Sequence, residues 1–223
     1  MVDINSLPPS EMARLLGKPE GEAGIAISER LNQINAAITS AVYQSLQLRS
    51  GDRILEIGFG NGKLLPELLS RAHDLSYAGI DISATMVEAA KASNADVVRS
   101  GRAAFELASA EEIPHPDASF DRVFAVNVIY FWPDPVCALA EMRRILRPDG
   151  LSVVATVNPD PQETPPPFVR EEFGFRARDA ATVVALHRQA GFGQVGIEDY
   201  EEIVPRPDGT PWKRRYAIVS ARR

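Results

Sequence analysis

The sequence predicts an α/β fold in which helices flank a mostly parallel β-sheet, and three observations predict it. Residues 53–57 are a β-prone run leading into three alternating glycines, Gly58, Gly60 and Gly62, after which apolar residues resume at helical spacing, Leu64, Leu65, Leu68 and Leu69. A second β-prone run, 77–81, ends in Asp81 about twenty residues past the last glycine, where the second strand of a strand–helix–strand unit sets an acid against a ribose diol. A third run, 120–126, is almost continuously apolar, as a parallel strand buried on both faces should be.

The chain has 223 residues, room for one generous domain that buries roughly 70% of the surface its unfolded chain exposes. With 45% apolar and 24% charged residues and a formal net charge of −6, it has the composition of an acidic soluble globule. No basic stripe recommends nucleic acid as a partner; Arg214, Arg215, Arg222 and Arg223 read as solvated strand ends. No run approaches the ~20 apolar residues of a membrane span, and the first residues have no leader pattern, so a cytoplasmic protein is expected. The lone Cys137 has no disulfide partner and falls on the apolar side of a helix pattern, which predicts a small core residue. No Cys/His cluster has metal-ligand spacing, so no metal is expected.

In chain order, residues 1–23 are rich in Pro, Ser and Gly, with a short helix expected from Ser10 as N-cap to Leu16. From Gly24 to about Leu48, Ile27, Leu31, Ile34, Ile38 and Val42 mark an amphipathic helix. Beside that stripe runs a polar, uncharged one, Ser28, Asn32, Asn35, Thr39 and Tyr43. It reads either as a half-solvated flank or as the inner face of a lid, where short amides and hydroxyls satisfy buried polar groups. The first strand, the glycine turn and a helix to about Ala72 follow, with Pro66 in the first turn, where its missing N–H costs little. The second strand ends at Asp81, and Ser83 caps a helix that carries Met86, Val87 and Ala90 and ends near Asn94. A third strand is expected over 104–108 and the fourth over 120–126, ending at Asn127.

Beyond it, Tyr130, Phe131 and Trp132 stand in a loop at a strand end, where ligands bind in open α/β sheets. A helix over 136–146, with Leu139, Met142 and Ile145 inward, leads through Pro148, Asp149 and Gly150 into a fifth strand, 151–157. Residues 158–175 hold five prolines and no periodicity, which reads as a lid or an unstructured insertion. Asp179 caps a helix that stops at Gly191, and two strands, 194–203 and 214–221, flank Pro207, Asp208 and Gly209 as an antiparallel pair.

The glycine spacing is Gly-x-Gly-x-Gly, not the Gly-x-Gly-x-x-Gly of dinucleotide sites, and no Arg or Ser cluster stands ready for a pyrophosphate. A nucleoside without phosphates fits better. Four groups of residues then follow in a recognisable order. They are Glu56 to Gly62; Gly79, Asp81, Ser83 and Met86; Asp117, Ser119, Phe120 and Asp121; and Leu146 to Gly150. With them the chain resembles class I S-adenosylmethionine-dependent methyltransferases over about residues 24–157, and within these the small-molecule branch typified by quinone-biosynthesis C-methyltransferases.

The resemblance implies a Rossmann-like three-layer sandwich, a seven-stranded, mostly parallel sheet of order 3-2-1-4-5-7-6 with an N-terminal helical lid. Residues 1–48 would form that helical segment or lid and 49–223 the cofactor-binding methyltransferase domain. It implies S-adenosylmethionine as cofactor and a small-molecule methyl acceptor as partner. Carried over by position, Gly58 and Gly60 admit the methionine part, Phe59 and Gly62 belong to the same cofactor-binding turn, Asp81 takes the ribose diol, and Ile82 and Met86 pack on adenine. The carbonyl near Asn127 receives the methionine ammonium, and Glu56 orients the turn from beneath. The family usually has Asp where Ser109 opens the next loop; here Ser109, or Glu111 beyond Ala110, would meet the adenine amine. Asn32 and Asn35 are expected to line the pocket.

Methyl transfer from a sulfonium is an in-line displacement that needs alignment above all, worth roughly 7–11 kcal/mol. A base is required only where the acceptor must lose a proton. Tyr43, Tyr130, His73, His115 and His187 are the candidates, with His187 expected on a helix surface, and the sequence selects none. A cyclase or decarboxylase relative using the same pocket, and a non-catalytic binding subunit, remain as alternatives.

Overall fold

The computed structural model describes residues 6–160, 162–205 and 211–223. Strands β1 (Arg53–Ile57), β2 (Ser76–Asp81), β3 (Ala103–Leu107), β4 (Phe120–Val126), β5 (Leu146–Val157), β6 (Gln194–Pro205) and β7 (Pro211–Arg222) form one sheet. Its order is β3-β2-β1-β4-β5-β7-β6, with β1 to β5 parallel and β7 antiparallel to both β5 and β6. The strand order reverses between β1 and β4, which opens a crevice at their carboxyl ends.

Alternation in the strands builds two cores. Ile54, Phe124, Val153 and Ala155 point to one side, with Ile38 and Val42 of helix α2 (Gly21–Ser45) and Met86 and Val87 of α4 (Ala84–Ser93). Leu55, Val123, Ala125 and Val154 point to the other, toward Leu139, Met142 and Ile145 of α6 (Pro135–Ile145) and Val183 of α7 (Ala180–Gln189). Together these are the three layers expected.

Several boundaries differ from expectation for local reasons. Helix α1 (Pro9–Gly17) starts two residues earlier than Ser10 as N-cap would set it, since Pro9, with no N–H to satisfy, suits the first turn. Helix α2 ends at Ser45, and the buried Arg122 guanidinium takes the carbonyls of Leu46 and Gln47 at 2.7 and 3.0 Å. Gln47 then reverses the chain at φ 51°. Helix α3 (Leu65–Leu69) is shorter than expected, and a short α5 (Ala95–Arg99) was not foreseen. Strand β3 lies one residue earlier than expected, and the β6–β7 pair is longer. The turn expected at Pro207, Asp208 and Gly209 lies outside the described residues.

Two side-chain expectations are corrected. Cys137 is exposed, because Asp134 caps α6 so that Ala138, Leu139 and Met142 face inward and Cys137 outward. His187 is fully buried, since it shares the inner face of α7 with Val183, whose carbonyl lies 2.8 Å from its Nδ1. Burial lowers its pKa to about 4.

The Pro-rich stretch contains a 3-10 turn, Glu171–Phe173, and ends packed on the loop after β4. There Phe175 stacks on Tyr130 at 4.7 Å and 13°, and the Arg176 N–H donates to the Tyr130 carbonyl at 3.0 Å.

Candidate active site

The crevice is a cavity of about 280 Å³ at the carboxyl ends of β1, β2 and β4. The turn after β1 forms its floor. Gly58 has φ 75°, and a Cβ there would meet Val128 Cγ1 at 2.5 Å, so the tight turn and the neighbouring loop both require glycine. Gly60, at φ 59°, would meet nothing within 4 Å, so its backbone faces open space where a ligand can approach.

Asp81, at the end of β2, is 7% exposed. Its Oδ1 accepts the Ser83 N–H at 2.8 Å and its Oδ2 the Gly60 N–H at 3.3 Å, tying the carboxylate to the glycine turn. Burial pushes its pKa up to about 6 against those two N–H groups. Glu56, in β1, accepts the Tyr77 hydroxyl at 2.7 Å. Enclosure by protein raises it to about 7, partly offset by that hydrogen bond and reinforced by the charge of Asp81. The Ser109 hydroxyl donates to Glu111 Oε2, which leaves Glu111 Oε1 buried with no partner.

Helix α2 roofs the cavity. Asn32 Nδ2 donates to Asn61 Oδ1 at 2.9 Å, and Asn61 Nδ2 donates to Ser28 Oγ at 3.1 Å. Further along, Asn127 Nδ2 donates to Asn35 Oδ1 at 3.1 Å. The polar stripe therefore meets the strand ends. The chain before α2 is pinned as well, by Ser83 Oγ donating to the Pro19 carbonyl and the Gly21 N–H donating to Thr85 Oγ1 at 3.2 Å.

A family profile described as a methyltransferase domain matches residues 55–154. The 27-O-demethylrifamycin SV methyltransferase of Amycolatopsis mediterranei is 34% identical over 202 residues, 85% of this chain and 71% of that protein. This chain belongs to the class I S-adenosylmethionine-dependent methyltransferases. An O-methyltransferase of Penicillium expansum is 31% identical over 177 residues, 78% of this methyltransferase and 64% of its own length. A crystal structure of a SAM-dependent methyltransferase from Aquifex aeolicus shares the fold, with TM-score 0.62 and 20% identity over 97% of this chain and 99% of that one.

Of the methyltransferase residues singled out in the sequence, Asn32, Glu56, Gly58, Phe59, Gly60, Gly62, Asp81, Ile82, Ser109, Ala110, Glu111 and Asn127 all border the cavity. Met86 does not. It is fully buried in the core beneath α4, because the Ser83 cap turns the first turn of that helix toward the sheet. Ile82, at 44% exposure, is left on the open side.

Several contributors escaped the sequence reading. Asn94 reaches back from the end of α4 to the Gly62 carbonyl at 3.0 Å, and Leu16 and Gly17 of α1 border the cavity. Only the three-dimensional return of the chain brings these residues near. Asn61 stood in the glycine motif with no partner visible in the sequence; its partners lie on α2. None of the candidate bases, Tyr43, Tyr130, His73, His115 and His187, borders the cavity.

No group of three or more His, Cys, Asp and Glu that could hold a metal occurs among the described residues. No described helix is long and apolar enough to cross a membrane.

Proposed function

We propose that the chain transfers the methyl group of S-adenosylmethionine to a small-molecule acceptor by in-line displacement, with helix α2 and the segment before it as a lid over the cofactor domain. One observation carries the reading of the cavity: the acidic and basic side chains that border it are Glu56, Asp81 and Glu111, with no Lys, Arg or His. Three carboxylates around one cleft suit a ligand that brings a sulfonium and an ammonium, and they repel the phosphates of a dinucleotide.

The residues fit the cofactor. Asp81 is placed to accept both ribose hydroxyls, and the bare backbone at Gly60 leaves room for the methionine part. Glu111 Oε1, an orphaned buried acceptor, offers the adenine amine a partner, and the Ser109 hydroxyl orients that carboxylate by donating to Glu111 Oε2. Ile82 covers adenine, and Asn32 with the Asn127 carbonyl serves the methionine end. The cofactor supplies an electrophilic methyl on positively charged sulfur. The protein binds, aligns and excludes water. The relatives named for O-methyl transfer support a small, oxygen-bearing acceptor.

The test is a screen of small acceptors with isotopically labelled methyl donor, read by mass, beside calorimetric titration of S-adenosylmethionine, its demethylated product and NAD. Micromolar binding of the two sulfur nucleosides and none of NAD is expected. NAD binding with no response to either sulfur nucleoside would overturn the assignment.

A further inference from the structure

A hydrogen-bond chain runs from the backbone at the end of β5 through the buried Tyr130 to the cavity, which Asn127 and Asn35 border. The Val157 N–H, which can only donate, points at the Tyr130 hydroxyl oxygen at 3.4 Å. The Tyr130 hydroxyl in turn donates to Asn127 Oδ1, 2.6 Å away. That orients the Asn127 amide, so its Nδ2 donates to Asn35 Oδ1 at 3.1 Å. What remains is the Asn35 Nδ2–H₂ group, which has no partner among the described residues, on a side chain that borders the cavity.

All the dipoles in this chain point the same way, and each bond polarises the next, so the electropositive end emerges at Asn35. The cavity that Asn35 borders is also lined by Leu16 and Gly17 from α1, Leu31 from α2, and Val128, Phe131 and Trp132 from the loop after β4, with Asn32 and Thr39 as uncharged polar neighbours on α2. Among the described residues no histidine or lysine borders the cavity to take a proton. The groups facing the cleft that titrate are Glu56, Asp81 and Glu111, and carboxylates beside an oxyanion oppose its formation.

We propose that Asn35 is a catalytic oxyanion donor and that the acceptor is an uncharged, largely apolar molecule with an acidic hydroxyl, a phenol or an enol; this rests on the methyltransferase reading above. Tyr130 and Asn127 act through Asn35 as positioning residues. The hydroxyl loses its proton to water, and the resulting oxyanion is held by the Asn35 N–H. An oxygen lone pair forms the bond to the methyl carbon as the carbon–sulfur bond breaks. The electron pair of that bond passes to sulfur, which leaves as a neutral thioether. A substrate carrying phosphate or carboxylate is disfavoured for want of any cation in the cleft.

The probe is para-nitrophenol, whose phenolate is seen by absorbance and whose ionisation falls near neutrality, titrated onto protein saturated with the demethylated cofactor product. In the parent the bound probe should ionise about one pH unit lower than in Asn35→Leu, a tenfold change in the phenolate-to-phenol ratio. Asn35→Asp should raise the ionisation pH of the probe above that of the parent as well, since a carboxylate repels the phenolate, and Tyr130→Phe should reproduce part of the Asn35→Leu rise. Equal ionisation in parent and Asn35→Leu, or no binding of para-nitrophenol by the product-loaded parent, would overturn the proposal. Calorimetry of the product with each variant separates the two readings: if the parent does not bind it, the cofactor assignment fails, and if it binds while the probe ionises alike in all variants, only the role of Asn35 fails.

Discussion

Substitution at Asp81 measures how the site recognises its nucleoside. A ribose diol donates two charge-assisted hydrogen bonds to a carboxylate, each worth about 1.5–3 kcal/mol before overlap. Asp81→Ala should therefore weaken cofactor binding by roughly ten- to several-hundredfold, and Asp81→Asn by less. The structure adds a pH dependence. Burial holds the free carboxyl at about 6, so below that pH the protein must give up a proton before it can accept the diol. Affinity should be level above about pH 7 and fall by up to tenfold per unit below pH 6. Binding at pH 5 should release close to one proton, seen by calorimetry in buffers of different ionisation enthalpy. In Asp81→Asn that component disappears, and Glu56, freed of a neighbouring negative charge, should ionise at lower pH. Parent affinity that is equal at pH 5 and pH 8, or a pH profile unchanged in Asp81→Asn, would refute the reasoning.

Glu56 has a folded-state pKa of about 7 against an ordinary 4.5, so its ionisation costs stability above pH 7 and the cost is relieved as pH falls through 7. The ligand-free parent should gain roughly 1 kcal/mol from Glu56, a few degrees of melting temperature, between pH 8.5 and pH 6, after allowing for water in the cleft; Glu56→Gln should keep only the smaller rise that Asp81 contributes near pH 6. Gly58→Ala adds a left-handed backbone penalty of about 1–2 kcal/mol to the overlap with Val128, and Val128→Ala should relieve only the overlap. A Gly58→Ala protein that melts like the parent would contradict both terms. The double substitution of Asn32 and Asn35 by Ala removes bonds to Asn61 and Asn127, which should cost about 2 kcal/mol in denaturant melts and at least tenfold in kcat/KM. Unchanged turnover would make the stripe a packing surface alone.

What the sequence determined by itself was the sheet domain and the ends of its strands. Local signals sufficed there. A β-prone run, glycines at alternate positions and an acid one strand later constrain the backbone within a few dozen residues, and the resulting turn and carboxylate are joined through Gly60 and Asp81. The caps at Ser83 and Asp179 were legible for the same reason, since each side chain bonds an N–H three residues ahead.

Tertiary structure decided matters that depend on which faces meet. Cys137 and Met86 lie on helices whose periods were read correctly, yet one points outward and the other into the core, because rotation about a helix axis is set by packing on the sheet. His187 became a core residue by sharing a face with Val183. At the acceptor end, Asn35 and Asn127 were legible as pocket residues, but Leu16 and the link from Asn35 through Asn127 to Tyr130 and the Val157 N–H were not, because these residues come from separate stretches of chain and no spacing in the sequence encodes their meeting.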